Sequence, residues 1–361
     1  MKKLISIILM ITTILSLAVV PMTTSAKTKT KKTYIASEDI YVSGKAYVYA
    51  KINSKHNEFQ DDKRISLYYV GKNGKEKHLT YCGYNFTNFY LRGDTVYFNF
   101  GGSRENICSI NINTKKVKTI FKNGFLIGGY GKNVIVRDSN KNVYSVTPKG
   151  EKTKLCKNYY NIFNGCLYSA DKKFNLANNK ITNVARKSDI YTTNSYLYYI
   201  NKKGNLTSLD KKGIKRNVDV MVTSIIGAND GKTVLYTKGN KVYRRTGTNK
   251  KIELADITKL RNTTGVDKNF YPEETTKIVS GSLSGNSIVL AMMSDTGAID
   301  TKIIKMDING KNQKVIYSFD GQEYDSQSQT SLISVKIHNN KVYTIFFDYE
   351  RFCRIYNAIK M

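Results

Sequence analysis

The chain contains no tryptophan, three histidines and five cysteines, and its 28 acidic residues are outnumbered by 58 lysines and arginines. Each shortage excludes something. His56, His78 and His338 each stand in a turn or at a strand start beside lysine or asparagine. That leaves little for a histidine-based metal site or catalytic triad, and no HExxH pair occurs. Cys82, Cys108, Cys156, Cys166 and Cys353 are odd in number, with no CxxC and no other ligand spacing, so no disulfide framework can be read from them. Set among Tyr, Ile, Phe and Leu, they read as small core hydrophobes, with a Cys156–Cys166 bridge left open. After Ala26 no apolar run is long enough to span a bilayer.

Short catalytic motifs fail for stated reasons. GSLSG at 281–285 has Leu283 where a nucleophile elbow needs serine, and reads as a turn. SLDK at 208–211 fits SxxK formally, but reads as a strand entering a Lys-Lys-Gly turn. DSNKNV at 138–143 starts like a calcium loop, yet has Val143 where glycine is required and Lys149 where the bidentate glutamate would fall. DINGKN at 307–312 is a turn, with Gly310 supplying the left-handed residue. No catalytic residue, metal ligand or cofactor site is expected from these segments.

What is present begins with an export signal. Lys2 and Lys3 precede an apolar run from Leu4 to Val20, then Pro21 and the small-residue ending Thr24-Ser25-Ala26. This reads as a signal peptide, residues 1–26, cleaved after Ala26; an uncleaved anchor is the alternative. Residues 27–34, KTKTKKTY, form a basic, apolar-poor leader. A formal charge of +30 on an exported chain favours polyanions such as an anionic wall polymer. Lysine is equally the ordinary solubilising residue of strand surfaces and turns.

From residue 35 the sequence repeats itself. SYLYYINKKGNLTSLD at 195–210 and TVLYTKGNKVYRRT at 233–246 share one grammar: two apolar-aromatic runs around a Gly, Asn, Asp or Lys turn, then a Lys-rich stretch ending in aliphatics. Eight copies start at Ser43, Gly93, Gly131, Phe163, Thr193, Gly231, Ser284 and His338, at intervals of 30 to 54 residues. An all-strand unit of this length is the size of a four-stranded propeller blade. A lone sheet of Tyr, Val and Ile would expose two apolar faces, whereas radial stacking covers both. The 27 tyrosines suit inter-sheet space, with hydroxyls reaching a wet rim. The expectation is an all-β β-propeller of eight four-stranded blades over 35–361, with seven as the alternative count. The final copy carries no Lys-rich outer strand, and TYIASEDIYV at 33–42 is a spare strand, so the N-terminal strand is expected to complete the last blade. Residues 259–279, KLRNTTGVDKNFYPEETTKIV, stand out as an insertion.

YLYYINKKGNLTSLDKKGIKR and IIKMDINGKNQKVI resemble the tyrosine-rich, low-density-lipoprotein-receptor-like propeller repeats of unknown function in exported proteins of Gram-positive bacteria. That resemblance implies a secreted, surface-associated binding module with an undefined ligand. No Tyr-Trp-Thr-Asp box is present.

The expected role is therefore a non-enzymatic binding or scaffolding module at the bacterial cell envelope, secreted and wall-associated. Its expected partner is an anionic wall polymer or another envelope protein, not nucleic acid, with the chain acting as a monomer. Lys211, Lys212, Arg244, Arg245 and Lys268 are the candidate ligand-binding charges and Tyr271 the candidate aromatic contact, chosen for loop placement. The alternative is a carbohydrate-active enzyme, a glycosidase or lyase, which would gather two or three carboxylates on one propeller face.

Overall fold

Alternating side chains decide the architecture. In the strand Ser287–Ser294, Ile288, Leu290 and Met292 pack with one hydrophobic cluster while Val289 and Ala291 pack with another. Both faces of the sheet are thus covered, each by a neighbouring sheet. That is the burial problem that stacking around an axis solves.

The computed structural model describes residues 33–35, 40–56, 61–84, 88–102, 105–169, 171–184, 190–261, 276–294, 301–319, 330–348 and 353–361. The signal peptide and the body of the 259–279 insertion lie outside them. Among the described residues the strands are β1 to β32 in chain order, from β1 (Thr33–Ile35) to β32 (Cys353–Lys360), with one short helix, α1 (Ile257–Arg261). They form eight antiparallel sheets arranged as an eight-bladed β-propeller, which excludes seven. Blade 1 runs from β2 (Ile40–Ser43) to β5 (Glu76–Tyr81), and blade 2 from β6 (Phe89–Arg92) to β9 (Val117–Phe121). Blade 3 runs from β10 (Gly124–Tyr130) to β13 (Lys152–Lys157), and blade 4 from β14 (Asn161–Phe163) to β17 (Ile181–Asn183). Blade 5 runs from β18 (Ile190–Thr192) to β21 (Lys215–Asp219), and blade 6 from β22 (Ser224–Ala228) to β25 (Ile252–Asp256). Blade 7 runs from β26 (Thr276–Ser284) to β29 (Lys314–Phe319), and blade 8 from β30 (Thr330–His338) through β31 (Lys341–Asp348) to β32. Each repeat start read from the sequence falls in or next to the turn between the first and second strands of a blade.

Ring closure differs from expectation. β1 does not complete blade 8; it pairs antiparallel with the innermost strand of blade 3, Tyr34 opposite Gly129. The sheet of blade 8 contains three strands among the described residues, and Ile40–Ser43 opens blade 1. Blades 1 and 8 meet instead through side chains. Tyr47, Tyr49, Tyr343, Ile40 and Val70 form one buried cluster. The Tyr343 ring lies 5.3 Å from that of Tyr49 and 6.3 Å from that of Tyr47, and His338 sits edge-on to Tyr47 at 4.5 Å.

The Lys-rich outer strands hold their aliphatics by a shared device. In six blades the outer strand carries one extra residue relative to its partner: Leu79, Ile120, Leu155, Val218, Leu254 and Ile316. A bulge breaks the strict in-out alternation, so a strand that is mostly polar can still send an aliphatic plug inward. In β9, Ile120 and Phe121 are buried side by side behind three exposed residues.

Glycine allows close approach between blades. A Cβ on Gly227 of β22 would lie 2.1 Å from the carbonyl oxygen of Gly281 in β26. Residues 281–284 are therefore strand, and the turn expected there begins at Gly285. Cys82, Cys108, Cys156 and Cys166 are free thiols, so the Cys156–Cys166 bridge does not form.

Candidate functional site

Two features are built by the fold rather than by any single blade: a lysine-bearing face and an axial cavity. In an antiparallel four-stranded blade the turn between strands one and two and that between strands three and four lie at the same end. The second of these turns carries an exposed lysine in every blade that has a fourth strand: Lys75, Lys116, Lys149, Lys180, Lys212, Lys250 and Lys311 in blades 1 to 7. Lys72, Lys115, Lys211 and Lys251 add a second in four of them. The single carboxylate within these turns is Glu151, which the Thr147 hydroxyl meets at 3.4 Å.

Neighbouring acidic side chains at the strand ends are committed to turn geometry. Asp210 Oδ1 accepts the backbone N–H groups of Lys212 and Ile214, both at 2.9 Å, while Gly213 takes the left-handed φ of 84°. Asp307 Oδ1 does the same for Asn309 and Lys311, and its carboxyl is held below the usual range chiefly by the Lys311 N–H. These aspartates order the turns that display the lysines. SLDK is thereby a strand, Leu206–Asp210, entering its turn, and DINGKN and DSNKNV are turns, the last closed by Asn142 N–H donating to Asp138 Oδ1 at 2.8 Å.

The candidates chosen from sequence are dispersed. Lys211 and Lys212 sit exposed on the lysine-bearing face. Arg244 and Arg245 are half-buried within β24 (Lys241–Thr246) rather than in a loop. Arg245 is a staple between blades: Nε donates to the Asn249 carbonyl at 3.0 Å and a terminal nitrogen donates to the Val218 carbonyl of blade 5. Arg244 Nε is buried without a hydrogen-bond partner, and burial lowers the pKa of its guanidinium. Lys268 and Tyr271 lie outside the described residues.

The axial cavity, of about 510 Å³, was not foreseen. It is bounded by the innermost strands of blades 1, 5, 6, 7 and 8. Its walls carry Tyr41, Tyr191, Leu283 and Ile333 alongside Thr192, Asn194 and Lys336. Asp230 is the one carboxylate among the described lining residues. It binds the turn of blade 5, accepting Ser195 N–H at 2.9 Å and Asn194 Nδ2 at 3.2 Å. Among the described residues no group of three or more His, Cys, Asp or Glu could hold a metal ion. Nothing in a linear sequence marks this cavity, because five separate blades contribute to it.

Fold and site together define the class: an eight-bladed β-propeller with a basic turn face and a lined axial cavity. No protein-family model matches the chain, and no match is found among curated proteins. Among solved structures, the chain is similar over 92% of its length to BamB from Moraxella catarrhalis, of which it covers 99%, at 8% identity and a TM-score of 0.44. It is similar over 91% of its length to the β-propeller domain of the Trilobed protease from Pyrococcus furiosus, covering 96% of that chain at 11% identity and a TM-score of 0.38. A third likeness, to the tricorn protease, covers 88% of this chain but spans only 44% of that one, at 8% identity and a TM-score of 0.35. These are likenesses of strand architecture.

Proposed function

We propose that the protein is a non-enzymatic binding module of the bacterial cell envelope that engages an anionic wall polymer through its lysine-bearing turn face. The observation that carries this reading is the recurrence of exposed lysines at the same turn of seven successive blades. A ring of such turns meets a repeating polyanion at many points, so weak single contacts add by multivalency. Sequence signs of export support a location where wall polymers are, and the resemblance to tyrosine-rich propeller repeats of exported Gram-positive proteins is in keeping with that reading. The glycan-cleaving alternative requires paired carboxylates, whereas the described cavity lining brings Asp230 alone.

The test is co-sedimentation with purified Gram-positive cell walls across a salt series. Contacts of this kind weaken steeply as salt rises, because bound counterions are displaced on association. Replacing Lys75, Lys116, Lys149 and Lys212 together by glutamine is expected to flatten that dependence and reduce binding at low salt. Binding that is indifferent to salt, or unchanged in the quadruple variant, rejects the electrostatic reading.

A further inference from the structure

We infer that the innermost edge of blade 5, β18, is a strand-addition site that takes an extended peptide segment of a partner polypeptide, with a lysine or arginine placed at Asp230, inside the axial cavity. The site is separate from the lysine-bearing turns and does not rest on the polymer reading. The inference starts from β1, a segment already seated on such an edge in blade 3. There Thr33, Tyr34 and Ile35 lie opposite Tyr130, Gly129 and Gly128 of β10. Strand addition at the axis is therefore compatible with this ring.

Blade 5 offers the same edge without a strand on it. β18 pairs with β19 (Tyr196–Ile200) on one side and with no strand on the other among the described residues. The two blades match position by position. Tyr130-Gly131-Lys132-Asn133 and Thr193-Asn194-Ser195-Tyr196 each join the first two strands through a two-residue turn, so Thr192 stands where Gly129 stands. Thr193 N–H donates to the Tyr196 carbonyl at 2.8 Å, which makes this pair the bonded one. Bonded and non-bonded pairs alternate along an antiparallel ladder, so Thr192 turns its N–H and C=O away from β19 and toward the cavity.

The cavity lining agrees with this. Ile190 to Asn194 line it without a gap. Side chains of a strand point alternately to opposite faces, so an unbroken run of lining residues means that the cavity meets the strand at its backbone edge. An occupant must then supply alternating peptide donors and acceptors, as in other cases of strand addition to an open edge.

Charge sets one position of the peptide. In the register of β1, a residue opposite Thr192 is preceded two positions earlier by one opposite Asn194, and the Asn194 side chain holds the Asp230 carboxylate. A lysine or arginine there would meet Asp230, with a large side chain two residues later opposite Thr192. Lys32 and Tyr34 of this chain have that spacing, which makes residues 31–37, Lys-Lys-Thr-Tyr-Ile-Ala-Ser, a suitable probe.

The experiment titrates the full chain with this heptapeptide, fluorescently labelled, and follows anisotropy. Saturable binding is expected. Thr192→Pro removes the cavity-facing N–H while sparing the ladder to β19, and is expected to weaken binding at least tenfold. Thr192→Val keeps the backbone group and is expected to stay within twofold of the parent. Asp230→Asn is expected to weaken the lysine peptide but not one with norleucine at the second position. Should Thr192→Pro fail to fold, as judged by circular dichroism, a peptide N-methylated at its tyrosine removes the reciprocal bond of the same pair, from the tyrosine N–H to the Thr192 carbonyl, and is expected not to bind. A photoreactive residue at that tyrosine is expected to cross-link to residues 190–194 or 228–230. Equal binding of the N-methylated peptide, equal binding by folded Thr192→Pro, or cross-links confined to 128–130 through exchange with β1 would each overturn the inference. So would peptide binding that appears only when a self-associated protein is diluted, which would make a second copy the occupant.

Discussion

Removing the Tyr343 ring tests the view that blades 1 and 8 are joined by aromatic packing rather than by an exchanged strand. Tyr343 is 2% exposed and contacts Tyr47 and Tyr49 across the seam. Its hydroxyl is held protonated to unusually high pH, first by burial and then by the hydrogen bond it shares with Tyr47. Tyr343→Phe removes only that bond and is expected to cost about 1 kcal/mol. Tyr343→Ala also removes the ring. Large-to-small substitution of a buried aromatic costs about 3–5 kcal/mol, to which each lost ring pair adds roughly 0.5–1.5 kcal/mol. The expected total of about 4–8 kcal/mol is a large fraction of the 5–15 kcal/mol typical of a folded domain. Urea unfolding followed by tyrosine fluorescence measures both variants, and the double variant Tyr47→Phe, Tyr343→Phe should cost little more than either single change, since both remove one bond. A penalty for Tyr343→Ala near the roughly 0.5 kcal/mol of a surface substitution would refute the seam as a closure.

Three further outcomes are expected. Gly227→Ala should cost roughly 1–3 kcal/mol in the same assay, because its methyl meets the Gly281 backbone at 2.1 Å; Gly44→Ala, with nothing near its Cβ but a left-handed φ of 63°, should cost only the roughly 1 kcal/mol of that backbone conformation. Burial would raise the pKa of the Asp219 carboxyl, but the Tyr236 hydroxyl at 2.6 Å, the Val220 N–H and Lys251 outweigh it and hold the value below the usual range. The stability this supplies is complete above the unfolded-state pKa near 3.8 and is lost as pH falls through the lower folded-state value. The deficit of Tyr236→Phe should therefore shrink under acid, as thermal melts at pH 7 and pH 2 would show. Burial pushes the Cys156 thiol up to about 12 and raises Cys108 and Cys166 as well, so mass spectrometry after iodoacetamide treatment at pH 7.5 should find these three unmodified in the native protein.

Much of the fold is legible because its signals are local. Turns such as Asn164-Gly165 and Asn339-Asn340, with positive φ at both central residues, announce a hairpin within a few positions. Blade number follows from counting them. The destination of β1 is not local: period-two alternation says that Thr33–Ile35 can be a strand but not which edge receives it, and the receiving edge is Gly128–Tyr130, far along the chain. The outer strands were readable as lysines ending in aliphatics, yet the extra residue that turns Leu254 or Ile120 inward is a matter of register with the neighbouring strand. For the site, the lysine turns are visible one by one, while their common end of the ring follows only from blade geometry. Arg244 and Arg245 misled because a basic pair beside a Gly-Asn turn looks like loop; in the sheet, Arg244 shares a face with the buried Val242, and Arg245 spans to blade 5.

The bulged outer strand also separates two jobs that most strands must combine. In those six blades one inserted residue fixes the plug that seals the wedge, so the few positions before it are released from any duty to the interior. Sequence drift at 248–251 or 211–214 can then rewrite what the rim attracts while the ring keeps its shape. A scaffold arranged this way can acquire new surface chemistry one blade at a time.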